Sequence, residues 1–457
     1  MQTLLVAAVA ACSASAPQPD LIEIGNGSGG SGSVDREPAA WSDAWVNREA
    51  KRFAEDLSYR RAALEESLVN HANTYSQQRL DSYALGERGW DVLPVWNPRS
   101  RPVTAELAAT LARGEMPEVA ADRAPLWDGK TPTTLAGWVA LGRRVFFEFP
   151  MRAEVFMEYG LTKPELVERV GVERTTDGGV PGLVVFANVD GQTRVGITCA
   201  ICHTAVRDGA LVVGAARRRF DYGRLRIEFF EDTGSFVEPE LARRMATWGP
   251  GRADVTEDND EDPVAIPDLF GLRHEVVLTQ AGTINHTSPL ALAIRQDTQL
   301  THANHQRIRP PRELAWALAM FLYSLEPPPP TLRGGIGEIV RGAGVFASTG
   351  CRGCHDNAAY AGRALAATTI GTDPALANGQ ARGTGRYRVA PLLDVANAAP
   401  YLHHGAVRSL DELLSPARLA ADYRGGLLRP GAIAGHEFGT QLASADRAAL
   451  IAFLTIL

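Results

Sequence analysis

Apolar residues recur at helical spacing along much of the chain, and this pattern predicts a mostly α-helical fold. Residues 41–84 place apolar and charged side chains at helical intervals, as a helix with one buried face would. Leu135–Phe149 has the same pattern and is followed by Pro150, which favours a helix end at that point. Another helix is predicted after Pro310-Pro311, with an apolar face formed by Leu314, Leu318, Phe321, Leu322 and Leu325.

The pattern changes from helix-like to strand-like between residues 182 and 223. Short runs that favour β-structure are separated there by Asp190-Gly191 and by Asp208-Gly209. Asp-Gly is a preferred turn in β-hairpins with two-residue loops. These runs flank the sequence TCAICH and predict small hairpins beside it.

Four consecutive prolines, Pro327–Pro330, mark the predicted domain boundary, because they cannot continue a helix and favour an extended linker. Beyond them, residues 336–350 predict a short helix that leads into the sequence GCRGCH. Residues 444–457 predict a closing helix that Ser444 caps. Its apolar stripe consists of Leu450, Phe453, Leu454 and Leu457. A chain of 457 residues exceeds what one core usually serves, so two domains are expected.

Composition and charge narrow the classes of function. A net charge of -7 and a pI near 5.9 provide no basic surface for nucleic acid, so nucleic-acid binding is set aside. No apolar run approaches the roughly 20 residues that a membrane-spanning helix needs. The body of the protein is therefore not predicted to cross a bilayer.

The first residues have the character of an export signal. Leu4–Cys12 is a short apolar segment that ends in Val-Ala-Ala-Cys, which resembles the site where bacterial lipoprotein signals are cut and the cysteine is acylated. The alternatives are ordinary signal cleavage after Ala14-Ser15-Ala16 or a buried N-terminal strand. Gly25–Ser33 reads as a flexible tether. Residues 1–11 are expected to be a lipoprotein-type signal, and residues 12–40 a flexible tether that begins with the acylated Cys12. The protein is then expected in the periplasm or cell envelope, attached to a membrane through Cys12.

The strongest chemical signal is a C-x-x-C-H motif that occurs twice, at Cys199–His203 and Cys351–His355. A thioredoxin-like dithiol needs a single copy in a βαβ setting, which neither motif has. A zinc site made by both cysteine pairs would leave the two histidines unexplained. Attachment of c-type haem accounts for both cysteines and the histidine of each motif, since the two thiols bond the porphyrin and the histidine binds the iron. The sequence thus predicts two covalent haem c groups, on Cys199, Cys202 and His203 and on Cys351, Cys354 and His355.

The second axial ligand of the second haem can be narrowed by elimination. The last methionine is Met320, so the C-terminal region offers no methionine for this role. Its remaining histidines are His403, His404 and His436. His436, which stands in AGHEFG shortly before the final helix, is ranked first, and His403 second.

The second ligand of the first haem stays open. The candidates are Met245, His274, His286, His302 and His305, and an iron without a second protein ligand is equally compatible with the sequence. Two further features have a chemical interpretation. Arg252, in WGPGRAD, is a candidate partner for a haem propionate. The acidic run Glu257–Asp262 could bind calcium, although a solvated loop is the commoner use of such a run.

Several longer stretches are informative together: GTDP, APYLHHGAVRSLDELL and GHEFG in the C-terminal block and VGITCAICH, GPGRAD and LYSLEPPP before it. Through these stretches the sequence resembles the di-haem cytochrome c peroxidase superfamily, and it is closer to the branch that contains bacterial rubber oxygenases than to the peroxidases. The resemblance extends over about residues 141–457. It differs from the peroxidases in one respect, because no methionine follows the PYLH sequence.

The resemblance implies that the N-terminal haem, on His203, is reactive and that the C-terminal haem relays or stores electrons. The expected fold is mostly α, with two cytochrome c-like helical domains, one haem in each and small β-hairpins in the first. The expected function is electron transfer coupled to peroxide or dioxygen chemistry, and the partner is a redox protein or a small-molecule oxidant. The alternatives are a pure electron carrier and a zinc-stabilised binding module. The expected domains are residues 41–326 and 336–457, joined by a linker at 327–335.

Overall fold

A computed structural model describes residues 39–84, 90–254, 262–305, 307–330, 332 and 334–457. The predicted signal, Cys12 and the Gly/Ser tether lie outside the described residues. The acidic run also lies outside them, apart from Asp262. No helix among the described residues is long and apolar enough to span a membrane.

Helices hold 43% of the residues and strands 11%, which confirms the prediction of a mostly helical protein. Up to the first motif the helices are α1 Asp43–Glu55, α2 Leu57–Ser67, α3 Thr74–Ala84, α4 Ala105–Ala112, α5 Leu135–Glu148, α6 Val155–Leu161, α7 Pro164–Arg169 and α8 Ala200–His203. Beyond it they are α9 Tyr222–Thr233, α10 Pro239–Trp248, α11 Pro289–Ala303, α12 Arg312–Tyr323, α13 Ile336–Ser348, α14 Ala367–Ile370, α15 Ala375–Asn378, α16 Leu410–Leu413 and α17 Ser444–Leu454.

The strands form small antiparallel sheets. They are β1 Ser100–Pro102, β2 Arg152–Ala153, β3 Leu183–Ala187, β4 Thr193–Ile197, β5 Thr204–Arg207, β6 Ala210–Val213, β7 Arg252–Ala253, β8 Val264–Ala265, β9 Val277–Leu278, β10 Ile284–Asn285, β11 Gly362–Ala366 and β12 Arg386–Val389. One sheet has four strands in the order β1-β3-β4-β2, and the others are two-stranded pairs.

The predicted hairpins are confirmed, and they enclose the first motif. β3 pairs with β4, and β5 pairs with β6, so that α8 lies between the two hairpins. Asp208 and Gly209 have φ values of 50° and 78°. Positive φ at both central residues is what a type I′ turn requires. Asp208-Gly209 therefore fixes the turn of the hairpin that follows Cys199–His203, whereas in the hairpin before it only Gly191 has a positive φ.

The N-terminal helical stretch is broken into three helices instead of one. Asp56 makes the first break, because its N–H donates to the carbonyl of Arg52 at the end of α1 while its carboxylate accepts from the N–H of Tyr59. One residue thus ends one helix with its backbone N–H and caps the next with its side chain. Periodicity alone could not show this break, since the apolar spacing continues across it.

Helices α5 and α12 cross at very short distance. A Cβ atom added at Gly142 would lie 1.9 Å from the carbonyl oxygen of Ala317, so only glycine fits at this crossing. One turn further along α5, the ring of Phe146 packs against Phe321 at 5.2 Å between centroids. This crossing lies within the largest apolar cluster of the protein.

Helices α13 and α17 repeat the same crossing in the C-terminal region. A Cβ atom at Gly342 would lie 1.9 Å from the carbonyl oxygen of Ala449. Phe346 packs against Phe453 at 5.4 Å between ring centroids. Each of the two regions therefore contains a helix crossing that is held by a glycine and a phenylalanine four residues apart.

The prediction that Ser444 caps the last helix is wrong. Ser444 is the first helical residue, and Ala443 occupies the N-cap position without a side-chain hydrogen bond. The apolar stripe is present, with Leu450, Phe453 and Leu454 buried. The helix ends at Leu454, so Leu457 lies beyond it.

Candidate functional site

The first motif places its histidine between two hairpins. His203 ends α8, and its Nδ1 hydrogen-bonds the carbonyl oxygen of Pro267 at 3.0 Å. A carbonyl oxygen only accepts, so Nδ1 carries the proton and Nε2 keeps its lone pair. Burial lowers the pKa of His203 to about 4, which keeps the ring neutral. A neutral imidazole fixed in this way is the form that binds a metal.

The second motif fixes its histidine by the same device. Cys351–Gly353 form a short 3-10 turn, and Nδ1 of His355 hydrogen-bonds the carbonyl oxygen of Tyr360 at 2.6 Å. Burial is the main cause that lowers the pKa of His355. Both motif histidines are thus neutral, oriented by a backbone carbonyl and free at Nε2 to bind iron.

The motif cysteines are free thiols and do not gather into one site. None of Cys199, Cys202, Cys351 and Cys354 forms a disulfide. Burial raises the pKa of both Cys199 and Cys202 to about 11, so neither is a reactive thiolate. Among the described residues, no three His, Cys, Asp or Glu side chains converge as metal ligands. The residues therefore do not form the four-cysteine zinc site that was considered from the sequence.

A cavity of about 300 Å³ lies against the second motif. Cys351, Cys354 and His355 line one part of it, and His436 lines another. Most of the remaining lining is apolar and includes Phe346, Ile370, Leu392, Val395, Leu410, Leu413, Leu414, Leu450 and Leu454. An apolar chamber with a few placed polar groups is the usual form of a cofactor pocket.

His436 faces His355 inside this cavity. Their ring centroids are 6.5 Å apart. A metal–imidazole bond is about 2 Å long, and two imidazoles on opposite sides of one metal ion therefore have ring centres roughly 6 Å apart. The observed spacing fits an iron atom between the two rings. The residues around the second motif thus fit a haem, which His355 and His436 would hold from the two sides of the cavity.

A fully buried arginine holds the loop that carries His436. Arg418 donates to the carbonyl oxygen of His436 at 2.8 Å and to that of Leu413 at 2.9 Å, and it also bonds the carbonyl of Ile433. The N–H of His436 donates in turn to Ile370 at 2.9 Å. Arg418 was not recognised from the sequence, because a buried arginine has no local pattern that distinguishes it from an exposed one.

His403, the second-ranked ligand, lies elsewhere. Its ring stacks on Tyr387 at 4.1 Å between centroids and lies 4.4 Å from the ring of His404. It lines the cavity of the second motif and also a separate cavity of about 900 Å³. Burial lowers the pKa of His403 to about 2 and that of His404 to about 4. The contacts of His403 are thus with Tyr387 and His404, whereas the ring that faces His355 is His436.

Arg252 lies beside the larger cavity. Its guanidinium donates to the carbonyl oxygens of Thr247 at 2.7 Å and His404 at 3.2 Å. Burial lowers the pKa of Arg252 to about 10. The role that was predicted for Arg252, as a propionate partner, stays a prediction.

Two of the candidates for a second ligand at the first motif, His274 and His286, have their Nε2 atoms in hydrogen bonds. Nε2 of His274 accepts from Arg273 at 3.1 Å, and Nε2 of His286 bonds the hydroxyl of Tyr323. Met245 is buried in the α9–α10 helix pair, and His305 is exposed. Among the described residues, no second histidine ring faces His203 as His436 faces His355.

A second buried arginine supports the first motif. Arg217 is fully buried and donates to the carbonyl oxygens of Thr204 at 3.1 Å and Pro181 at 3.0 Å. The backbone N–H of Arg217 donates to the carbonyl oxygen of Cys202 at 2.8 Å. Arg217 thereby fixes the backbone on both sides of His203, and like Arg418 it was missed from the sequence.

Comparison with known proteins gives distant similarities only. No family model matches this chain, and no curated protein matches it. The chain is similar to a MauG-like protein associated with microbial copper homeostasis, at 16% identity and a TM-score of 0.30, over 47% of this chain and 81% of that one. It is also similar to hydrazine synthase of Kuenenia stuttgartiensis, at 14% identity and a TM-score of 0.35, over 75% of this chain and 98% of that one. The function proposed below rests on the residues of the two motifs.

Proposed function

We propose that this chain is an exported di-haem c-type cytochrome that couples electron transfer to peroxide or dioxygen chemistry at its N-terminal haem. The observation that carries the proposal is the pair of His355 and His436, whose rings face each other at 6.5 Å across an apolar cavity. The residues that would hold the two haems are Cys199, Cys202 and His203 for the first and Cys351, Cys354, His355 and His436 for the second.

A bound c-type haem supplies one-electron redox chemistry, and the chain decides how that chemistry is used. In the second site, His355 and His436 would occupy both axial positions, which leaves no room for an exogenous ligand. The apolar lining keeps water away from this site. The second site therefore suits electron storage and relay.

The first site suits a reactive centre. His203 is held as a proximal ligand by Pro267, and no second histidine ring faces it among the described residues. An iron with one open position can accept peroxide or dioxygen. The alternative function is pure electron transfer with both irons six-coordinate, and the closed second site is compatible with it as well.

Intact mass tests the number of covalent haems. Protein from a host that performs cytochrome c maturation should carry two haem masses, and replacing Cys199 and Cys202 with alanine should remove one. Replacing Cys351 and Cys354 should remove the other. An unmodified polypeptide mass from the same host would overturn the proposal.

Electron paramagnetic resonance of the ferric protein tests the difference between the two irons. A low-spin signal from the second site and a high-spin signal from the first are expected. His436→Ala should convert the second site to high spin, while His403→Ala should leave it low-spin. If the wild type is low-spin at both irons and binds neither cyanide nor carbon monoxide, the electron-carrier function replaces the enzyme.

Export and anchoring are proposed on the N-terminal sequence alone. Cys12 would be the acylated first residue of the mature chain and would attach it to a membrane. Wild-type protein should partition into a detergent phase, and Cys12→Ala should partition into water. Aqueous partitioning of both forms would refute the lipid anchor.

A further inference from the structure

Tyr323 and His286 form a buried hydrogen-bonded pair that the proposed haem chemistry does not use. The exposed fractions of the two residues are 7% and 6%. Nδ1 of His286 hydrogen-bonds the carbonyl oxygen of Glu275 at 2.7 Å, so Nδ1 carries the proton and Nε2 is an acceptor. The hydroxyl of Tyr323 therefore donates to Nε2 of His286. Burial lowers the pKa of His286 to about 4, which keeps this acceptor neutral.

A short aromatic path connects Tyr323 with the surface. The ring of Trp41 lies 5.5 Å from that of Tyr323 and 5.2 Å from that of Trp45. Trp41 is 43% exposed. The aromatic rings thus extend from solvent to a buried phenol without a gap wider than a normal ring contact.

The pair also lies close to the first motif. Tyr323 belongs to the same apolar cluster against which Cys199 packs. Two residues after Tyr323, Leu325 approaches Gly214, whose N–H donates to the backbone carbonyl of His203. The chain segment that carries Tyr323 is therefore linked through Leu325 and Gly214 to the backbone of His203.

We propose that Tyr323 is a redox-active tyrosine, with His286 as its proton acceptor and with Trp41 and Trp45 as its connection to the surface. Removal of one electron from Tyr323 by a one-electron oxidant breaks the O–H bond. The proton moves to Nε2 of His286, and a neutral phenoxyl radical and an imidazolium remain. When an electron returns through the tryptophans, the proton moves back to the phenol oxygen. This inference does not depend on the haem assignment.

The geometry distinguishes Tyr323 from other buried tyrosines. The hydroxyl of Tyr387 donates to the carbonyl oxygen of Asp373 at 2.7 Å. A carbonyl oxygen is too weak a base to keep a proton, so oxidation of Tyr387 has no local proton acceptor. Three half-buried tyrosines donate to carboxylates and are the rivals that the experiment must separate: Tyr59 to Glu49 at 2.5 Å, Tyr159 to Asp232 at 2.5 Å and Tyr423 to Glu412 at 2.6 Å.

The test is photochemical oxidation of the full-length holoprotein with a ruthenium(III) polypyridyl complex that a flash generates in solution. Samples frozen after the flash are examined for a tyrosyl radical by electron paramagnetic resonance. Wild type and the controls Tyr387→Phe, Tyr59→Phe, Tyr159→Phe and Tyr423→Phe should give the radical, and Tyr323→Phe should lose it. A radical that survives in Tyr323→Phe, or that disappears in any of the controls, would overturn the proposal.

Two further measurements keep the proposal testable if Tyr323→Phe does not fold. Trp41→Leu changes a half-exposed side chain and should reduce the radical yield from the same oxidant. Electron–nuclear double resonance of the wild-type radical should show one strongly coupled proton that exchanges in D₂O, from the imidazolium of His286. His286→Leu should lose this coupling. An exchangeable coupling that is unchanged in His286→Leu would show that His286 is not the acceptor.

Discussion

The two C-x-x-C-H motifs orient their histidines in the same way, but they differ in what faces the histidine ring. In both regions a glycine allows two helices to cross closely, a phenylalanine packs one turn later, and Nδ1 of the motif histidine bonds a backbone carbonyl. Among the described residues, only the second region brings another histidine ring opposite the motif histidine, at 6.5 Å. The repeated motif thus sets the orientation of its histidine, and the rest of each region determines what faces that histidine.

The difference arises from the chain that surrounds each motif. The first motif lies between hairpins, and Arg217 binds the backbone beside His203. The second motif faces a loop in which His436 adopts φ 51° and Arg418 holds its carbonyl. A buried arginine therefore supports the proximal side in the first region and the distal side in the second. This contrast favours an open first site and a closed second one.

The largest loss of folding stability is expected at an ion pair between the N-terminal and C-terminal regions. Glu275 forms a buried ion pair with Arg388, whose side chains are 2% and 7% exposed. Arg388→Met leaves a buried carboxylate without its partner, which typically costs about 3 to 5 kcal/mol. Chemical denaturation should show this loss. The exposed pair of Arg341 and Asp446 is the control, and Arg341→Met should cost less than about 1 kcal/mol. Equal losses would mean that Glu275 and Arg388 do not bind the regions together.

The repeated helix crossing predicts the next effect. Gly142→Ala and Gly342→Ala each place a methyl group 1.9 Å from a carbonyl oxygen, so both should destabilise by about 3 kcal/mol. Gly344, in the same helix as Gly342, has open space at its Cβ position. Gly344→Ala should stabilise by up to about 1 kcal/mol, because alanine favours helix. If Gly342→Ala and Gly344→Ala shift the unfolding midpoint in the same direction, the crossing is not as tight as described.

The sequence allowed helices and turns to be predicted, because they depend on neighbouring residues. Most contacts between residues that are distant in the sequence could not be predicted. The Asp-Gly turns and the helix at Leu135–Glu148 follow from spacing and turn chemistry over a few residues. Elimination left three histidines, among which His436 was ranked first for its place shortly before the final helix, and the structure brings it opposite His355. No comparable signal exists for Arg217 or Arg418, since their partners are backbone carbonyls that any sequence could supply.

Replacing each buried arginine with methionine tests the contrast between the two sites. Arg418→Met removes the donor to the carbonyl of His436, so it should destabilise by about 2 to 3 kcal/mol and produce a high-spin fraction at the second iron. Arg217→Met should destabilise similarly but leave the spin state of the second iron unchanged. Electron paramagnetic resonance and denaturation measure the two effects separately. A high-spin fraction from the second iron in both variants would show that general loosening, not the position of His436, controls the iron.

The smallest expected effect is a pH dependence of the folding stability, which arises from His286 in the N-terminal region and not from the motif Cys199–His203. Burial lowers the pKa of His286 to about 4, whereas an unfolded histidine titrates near about 6.5. As the pH falls below 6.5, the unfolded chain therefore binds a proton that the folded chain refuses. The contribution of His286 to stability is complete above this range and falls by about 2 kcal/mol between pH 7 and 5. His286→Gln should flatten the stability profile in this range. Tyr323→Phe should retain the slope, because burial and not the tyrosine lowers the pKa. A flattened profile in Tyr323→Phe as well would assign the shift to the hydrogen bond.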